Sequence, residues 1–454
     1  MVFKKILIAN RGEIALRAVR ACRELGITSV AVYSVPDGDA LHVREADEAF
    51  CIGPAKSSAS YLNVNAILHS AIAANCDAIY PGYGFLSENA IFAARCEENR
   101  IKFIGPKSKT ITLMGDKASA RRQAVKFGVP VVPGSKVAFK TVDEASKAAK
   151  NIDFPLLLKA KSGGGGKGMQ VVQDIKEFNR AFEICKAEAI NAFGDGDIYF
   201  ERYFPSVRHI EIQIFGDGKG NAIALGERDC SIQRRHQKLI EESPALLLNK
   251  KSKEKILSHS ISLAEGLRYE GAGTIEYILD LKTRDLFFIE MNTRIQVEHP
   301  VTEVLINRDL IKAQITIAQG AGLSSLEDYE NTGEHAIELR VNAEDWERDF
   351  FPSPGKITTW SLPSLTNVRV DSSIYEGCTV LPYYDSMIAK LIVKGRDRKD
   401  AIKLAQEAVH NFTIDGVKST LKFHNEVLKH KDFNNNDLST HWVENTFPQE
   451  KTNE

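Results

Sequence analysis

The sequence of 454 residues contains no apolar run approaching the roughly 18 residues that a membrane-spanning helix needs. It has no surplus of either charge: 59 Lys and Arg stand against 60 Asp and Glu, a formal net charge of -1. That balance argues against a general nucleic-acid binder or a polybasic membrane protein, and it leaves local patches open. Cysteine is sparse, with seven residues (Cys22, Cys51, Cys76, Cys96, Cys185, Cys230 and Cys378) scattered along the chain and no Cys-x-x-Cys pair. A disulfide scaffold or a structural zinc site is therefore not expected; a cytoplasmic protein with reduced thiols is. The apolar stretch Ile6-Leu7-Ile8-Ala9 is too short for a signal-peptide core and reads as a first strand. Internal repeats and low-complexity blocks are absent too.

What is present has ordinary globular proportions, with 43% apolar and 26% charged residues, and a length that asks for two or three cooperating domains. The first ~110 residues alternate strand and helix patterns. Ile14, Leu16, Ala18, Val19 and Cys22 recur at helical spacing, Gly26 stops that helix, and Ser29-Val30-Ala31-Val32-Tyr33 opens a strand. Ala78-Ile79-Tyr80 and Lys102–Gly105 read as further short buried strands. Strands separated by helices imply a parallel sheet. The rhythm is Rossmann-like, but Ala9-Asn10-Arg11-Gly12-Glu13 replaces the Gly-x-Gly-x-x-Gly turn, so a dinucleotide site is not supported. From about Val131 to Phe204 a smaller α+β unit follows, and beyond it long strands alternate with helices.

That small unit holds Gly163-Gly164-Gly165-Gly166-Lys167-Gly168 between two strand-like stretches. Consecutive glycines are costly to order and make sense where backbone amides approach an anion closely. A Walker-type loop needs Gly-Lys-Ser/Thr opening a helix, which is not the pattern here. Two readings stand, a mobile surface hairpin and a phosphate lid, and the flanking Lys159 and Lys167 favour the lid.

A second hairpin runs from Thr274–Leu279 to Leu286–Asn292. A turn centred on Thr283 with an odd-numbered loop sets Glu276 directly opposite Glu290, with Asn292 on the same face. Facing carboxylates repel unless a cation lies between them, and two carboxylates with an amide oxygen suit Mg²⁺. Water-screened surface glutamates are the alternative. Next, Pro300 is expected to stop a strand whose Arg294, Gln296 and Glu298 share one side and could bind a small anion and move a proton. A plain Arg294–Glu298 surface ion pair fits that segment equally well. The cluster Glu227–Lys238 suggests an anion site more than a core element. His209, Glu211 and Gln213 share one face of another strand.

These residues resemble the biotin carboxylase family. The likeness rests on Ala9–Ala15, Pro81–Asn89, Gly115-Asp116-Lys117, the Gly163–Met169 loop, Glu227–Lys238, Phe351–Gly355 and Pro382–Met387. Glu290-Met291-Asn292-Thr293-Arg294-Ile295-Gln296-Val297-Glu298-His299-Pro300 is its most specific stretch. The resemblance implies an α/β ATP-grasp fold with a Rossmann-like N-terminal domain, a small α+β lid and a C-terminal α+β domain. Its parts would be 1–114, 115–204 with the lid, 205–334, 335–445 and a polar tail at 446–454.

It also implies roles. Lys117 and Lys159 would hold the ATP phosphates under Gly165 and Gly166, beside Met169, while Glu201, Arg202 and Phe204 form the hinge that reads adenine. His209, Gln233 and His236 would approach ribose and phosphates, and Glu276, Glu290 and Asn292 the metal, Mg²⁺ or Mn²⁺. Lys238, Arg294, Gln296 and Val297 would surround bicarbonate, Glu298 would be the general base, and Arg340 would steady carboxyphosphate and the biotin enolate. Tyr83 and Asp385 would lie near biotin.

The family's dimer would join a helix bearing Arg20 and Glu24 to the segment at Arg369, although Thr366 replaces an aromatic residue of some relatives. Lys161 and Ser162 before the glycines also depart from many relatives. No Met-Lys-Met is present, so biotin is expected on a separate carrier protein, with carboxyltransferase subunits as further partners. Acetyl-CoA carboxylase in fatty acid synthesis is the expected setting, and a pyruvate, 2-oxo-acid or acyl-CoA carboxylase the alternative. A silent ATP-binding regulatory subunit would not need Glu276, Glu290, Arg294, Glu298 and Arg340 together.

Overall fold

The computed structural model describes residues 2–135, 137–161, 168–327 and 333–448. The N-terminal part is a five-stranded parallel sheet, β1 (Lys5–Ile8), β2 (Thr28–Ser34), β3 (Glu48–Gly53), β4 (Ala78–Tyr80) and β5 (Lys102–Phe103), in the order β3-β2-β1-β4-β5. Helix α1 (Gly12–Glu24) buries Ile14, Leu16, Ala18, Val19 and Cys22, and Gly26 follows it at φ 69°. That is the left-handed position just past a helix end where glycine is unstrained.

Order reverses between β1 and β4, where an open α/β sheet leaves a crevice beyond its strand ends. Asn10 stitches the two loops there, its Nδ2 donating to the carbonyls of Pro81 and Tyr83, both at 2.7 Å. Gly82, at φ 63°, has no room for a side chain: a Cβ would lie 2.9 Å from Ile14.

The small unit is a three-stranded antiparallel sheet of β6 (Leu156–Ala160), β7 (Met169–Val172) and β8 (Ile198–Arg202), in the order β7-β6-β8. The helix Ile175–Phe193 packs on one face, where Leu156, Leu158, Val172, Phe178, Phe182 and Phe200 form a private core. Alternation then turns Leu157 and Lys159 to the other face. The expected hairpin is present, with Lys159 opposite Met169; its glycine tip lies outside the described residues.

The platform is an eight-stranded antiparallel sheet. Its strands are β9 (Val207–Asp217), β10 (Ala222–Arg234), β11 (Gln237–Ser243), β12 (Glu270–Asp280), β13 (Leu286–Asn292), β14 (His335–Asn342), β15 (Val368–Ser372) and β16 (Met387–Gly395). They run β13-β12-β9-β10-β11-β14-β16-β15, so β11 pairing with β14 carries one sheet across residue 335. Helices Arg398–His410 and Leu421–Lys429 cover the far half with a core around Leu339, Leu391, Ala405 and Phe423.

Two expectations are corrected. Glu276 does face Glu290, but the turn between them is not odd: Leu279 pairs with Leu286 and Tyr277 with Phe288. A bulge at Ile289 then restores Glu276 to Glu290. Pro300 does not end a strand. It sits in the first turn of the helix His299–Ile306, where the missing N–H costs nothing, and Glu298 caps that helix after a turn.

Candidate active site

The site face of the platform begins with a buried cation. Arg228 is fully buried on β10, flanked in sequence by Glu227 and Asp229. Its guanidinium donates to Glu211, to Gln213 at 2.8 Å and Thr302 at 3.0 Å, and to Thr274 at 3.2 Å and Gln296 at 3.1 Å. One side chain thus locks β9, β12, the turn before Pro300 and the helix behind it. The Glu227–Lys238 cluster is therefore partly core, contrary to expectation. Charge is tolerated there because each group finds a partner: Asp229 takes Arg208 at 2.7 Å, and Glu227 takes Lys253 at 2.9 Å.

Above Arg228 lies Lys238, reaching Glu211 at 2.6 Å, Glu276 at 3.1 Å and Glu298 at 2.6 Å. Burial alone would discharge it, but Glu211, Glu276 and Glu298 outweigh burial and hold the ammonium charged, its pKa well above the ordinary value. Glu298 is 1% exposed and is held on its other side by Arg340 at 2.9 Å. Burial pushes its pKa up, yet Lys238, Arg340 and Arg228 more than offset that and leave it well below the usual carboxylate range. The surface ion pair of Arg294 with Glu298 is thereby corrected: Arg294 turns instead to Glu88 at 2.8 Å and to Asn292 at 3.1 Å.

Glu276 is crowded with donors, receiving Asn292 at 2.8 Å and Gln296 at 2.7 Å, with His209 Nε2 3.1 Å away. Glu290 is not. Burial and then the charge of Glu276 push its pKa up, only partly opposed by Lys117 and His209. Facing carboxylates repel, and the oxygens of Glu276, Glu290 and Asn292 are a donor set that suits magnesium. Among the described residues, the ligand atoms close enough to share an ion are instead those of His209, Glu211 and Glu276, and of Glu211, Cys230 and Glu298. Lys238, with Arg228 on Glu211 and Arg340 on Glu298, already compensates those carboxylates, so Glu290 marks the better place.

At the lid edge, Lys159 pairs with Glu201, and the Arg202 guanidinium lies 5.2 Å over the Phe204 ring. Phe204 in turn stacks on Phe287 at 5.0 Å, an apolar slot at the hinge. Lys117 is exposed at the start of the helix Lys117–Lys126. Gln233 pairs with Lys238 across a two-residue turn in which Arg235 and His236 both take positive φ, 48° and 65°. Such turns ordinarily use Asn-Gly, so bulky residues there mark strain kept for a purpose.

The Val297 carbonyl accepts from Lys390 at 3.1 Å. Tyr83 donates to Glu13 and lies within the field of Arg340. Asp385 is exposed and binds the Met387 amide at 2.9 Å, which does not tie it to the Arg340 cluster. Gly165 and Gly166 lie outside the described residues. Sequence reasoning missed Arg228, Glu88 and Lys390 as site supports. Arg228 sits in a strand whose other polar members gave a signal; a buried Lys390 inside the apolar run Met387–Val393 gave another.

Three family models match in succession: biotin carboxylase N-terminal domain over 2–111, carbamoyl-phosphate synthase L chain ATP-binding domain over 116–326, and biotin carboxylase C-terminal domain over 338–445. The chain belongs to the biotin carboxylase family. It is similar to biotin carboxylase 1 of Bacillus subtilis, 50% identical over 98% of both chains. It is 48% identical to a pyruvate carboxylase subunit of Methanothermobacter thermautotrophicus over 98% of this chain and 90% of that one. A solved structure, the biotin carboxylase domain dimer of Hydrogenobacter thermophilus 2-oxoglutarate carboxylase with MgADP, ADP and bicarbonate, superposes with a TM-score of 0.91 at 47% identity, covering 98% of both chains. As a biotin carboxylase with the ATP-grasp fold, the chain is an ATP-dependent ligase. Among the described residues, no helix is long and apolar enough to cross a membrane.

Proposed function

We propose that this chain carboxylates biotin on a separate carrier protein, using ATP and bicarbonate through carboxyphosphate, as the first half-reaction of acetyl-CoA carboxylase in the cytoplasm. The observation that carries the chemistry is Glu298, buried and clasped between Lys238 and Arg340. A carboxylate so stabilised is a poor base by itself. Bicarbonate entering among Lys238, Arg294, Gln296 and the Val297 backbone recruits those donors, and the Glu298 pKa rises toward the working range. Glu298 then takes the bicarbonate proton, and the freed oxygen attacks the γ-phosphorus of ATP as ADP leaves.

Carboxyphosphate breaks down to CO₂ and phosphate, and the phosphate takes the biotin ureido proton. The resulting enolate attacks CO₂ beside Arg340, whose fixed charge matches the developing oxyanion. Lys117, Lys159, Gly165 and Gly166 bind the nucleotide phosphates, Met169 adds to the ATP site, Glu201, Arg202 and Phe204 take the adenine, and His209, Gln233 and His236 approach the ribose and phosphates. Tyr83 and Asp385 face biotin. Magnesium, held by Glu276, Glu290 and Asn292, supplies charge neutralisation at the phosphates when bound.

The partners are a biotin carboxyl carrier protein, carboxyltransferase subunits and a second copy of the chain. A pyruvate or other oxo-acid acceptor is the second reading, favoured by the 48% identity to a pyruvate carboxylase subunit. Purified protein is expected to hydrolyse ATP slowly with bicarbonate and faster with free biotin. An ATPase indifferent to both, with Glu298→Gln as active as wild type, would sink the mechanism. Capture of the associated carboxyltransferase decides the acceptor.

A further inference from the structure

Across the site face runs a row of buried charge that the reaction above leaves unused. Glu241 on β11 and Glu338 on β14 are direct cross-strand partners, and both are 0% exposed. Side chains facing each other on neighbouring antiparallel strands have Cβ atoms about 5 Å apart, so the two carboxyl groups are within reach of one another. Glu241 Oε1 accepts from Arg340 Nε at 2.5 Å. Glu241 Oε2 and both Glu338 oxygens have no hydrogen-bond partner among the described residues.

The cations around them are committed elsewhere. Lys390 on β16 reaches Glu13 of α1 at 3.1 Å, the Val297 carbonyl at 3.1 Å and Asp371 of β15 at 3.8 Å. Lys238 serves Glu211, Glu276 and Glu298, and Arg340 turns its second arm to Glu298. Tyr83 feels Glu338 across the domain junction but donates its hydroxyl to Glu13. Two facing carboxylates in such a place cannot both ionise without leaving a buried charge unpaired. One proton between Glu338 and Glu241 Oε2 satisfies a donor and an acceptor and leaves a single negative charge toward Arg340.

We propose that Glu241 and Glu338 hold one proton between them and act as a positioning pair, fixing the Arg340 guanidinium on one side while its other arm stays available to Glu298 and the reacting carboxyl group. The electrostatics agree. Burial drives both carboxyls above their ordinary range: Arg340 opposes and Glu298 adds for Glu241, while Lys390 opposes and Glu241 adds for Glu338. The pair titrates as one unit. Losing the shared proton sets a second negative charge beside Arg340 and draws it away from Glu298.

The inference rests on the reading that Arg340 faces the carboxylated intermediate, so Arg340→Ala is measured alongside. Glu338→Ala is expected to lower biotin-dependent kcat about tenfold, the size of one lost buried hydrogen bond, with a KM for ATP shifted far less. Glu338→Gln, which keeps the volume and a donor, recovers most of that loss and moves the alkaline limb of the kcat profile upward, since it has no proton to release. Infrared spectra of the wild-type enzyme labelled with carbon-13 glutamate provide a readout independent of any variant: a carboxylic-acid carbonyl band should vanish in step with the alkaline limb.

Equal losses in Ala and Gln with an unmoved alkaline limb overturn the proposal, as does the lack of any glutamic-acid band titrating with that limb. An inactive Arg340→Ala beside such a result leaves the reaction mechanism standing and removes only the proton sharing. An Arg340→Ala enzyme as active as wild type removes the reading of the site itself.

Discussion

The β6–β7 hairpin and the β12–β13 hairpin both carry residues assigned to the nucleotide, and they are built on opposite plans. The lid hairpin keeps a regular register, has its own apolar core on one face, and concentrates glycine at its tip. The carboxylate hairpin contains a bulge, lies in the platform, and turns Glu276, Glu290 and Asn292 onto a face already wired by Arg228 and Lys238. Backbone amides can follow a phosphate that moves, at the cost of ordering glycine. Side chains that must hold a metal and a base in fixed relation need a scaffold that cannot shift, which the buried guanidinium supplies.

That contrast can be broken by substitution, and the fixed side should lose most. Glu298→Gln is expected to lower bicarbonate-dependent ATP hydrolysis by ~10²–10⁴-fold, the range of a lost general base, in steady-state assays. Arg228→Met removes one of the two cations on Glu211, leaving it to a Lys238 shared with Glu276 and Glu298, and should cost about 3 kcal/mol in urea unfolding, with the site losing order as well. A similar loss awaits Glu242, which lies on the same strand as Glu241.

Burial pushes the Glu242 pKa up, but hydrogen bonds from His335 and Arg398 prevail and hold it at about 2. A depressed carboxylate stabilises the fold above its ordinary range and loses that contribution as pH falls from about 4.5 through about 2. Wild type should therefore lose about 3 kcal/mol over that window that Glu242→Gln does not, as read from unfolding free energy against pH.

Smaller effects belong to the metal and the lid. Glu290→Gln should raise the magnesium concentration for half-maximal activity by at least about tenfold, because even outer partners of a metal site cost that much. Gly165→Ala with Gly166→Ala should act mainly on the KM for ATP, with a stability change on the order of 1 kcal/mol per substitution. A lid variant that destroyed kcat while leaving KM alone would reverse the division of labour between the two hairpins.

Much of this was legible in the chain. Helix α1, the β1, β2 and β4 strands and the lid hairpin follow from spacing, because a buried face repeats with the period of its element. The facing of Glu276 and Glu290 was legible too, but for the wrong reason: the bulge at Ile289 leaves no mark in an alternating pattern. Pro300 misled because one residue suits both the end of a strand and the first turn of a helix. Asp385 was assigned by likeness alone, and in the structure its carboxylate accepts from the Met387 amide and lies within the field of Glu344.

By itself, the sequence determined the class of chemistry through its likeness to the biotin carboxylase family, carried above all by the run from Glu290 to Pro300; residue types alone left a mobile hairpin and a plain ion pair open. Only the tertiary structure decided which charges share a partner. Lys238 and Glu241 come from β11, Glu338 and Arg340 from β14, and Glu298 from the start of a helix, and their ionisation depends on burial and on distances of a few ångströms. Coulombic energy falls off with separation in space and is strengthened by exclusion of water, and neither quantity is written along a chain.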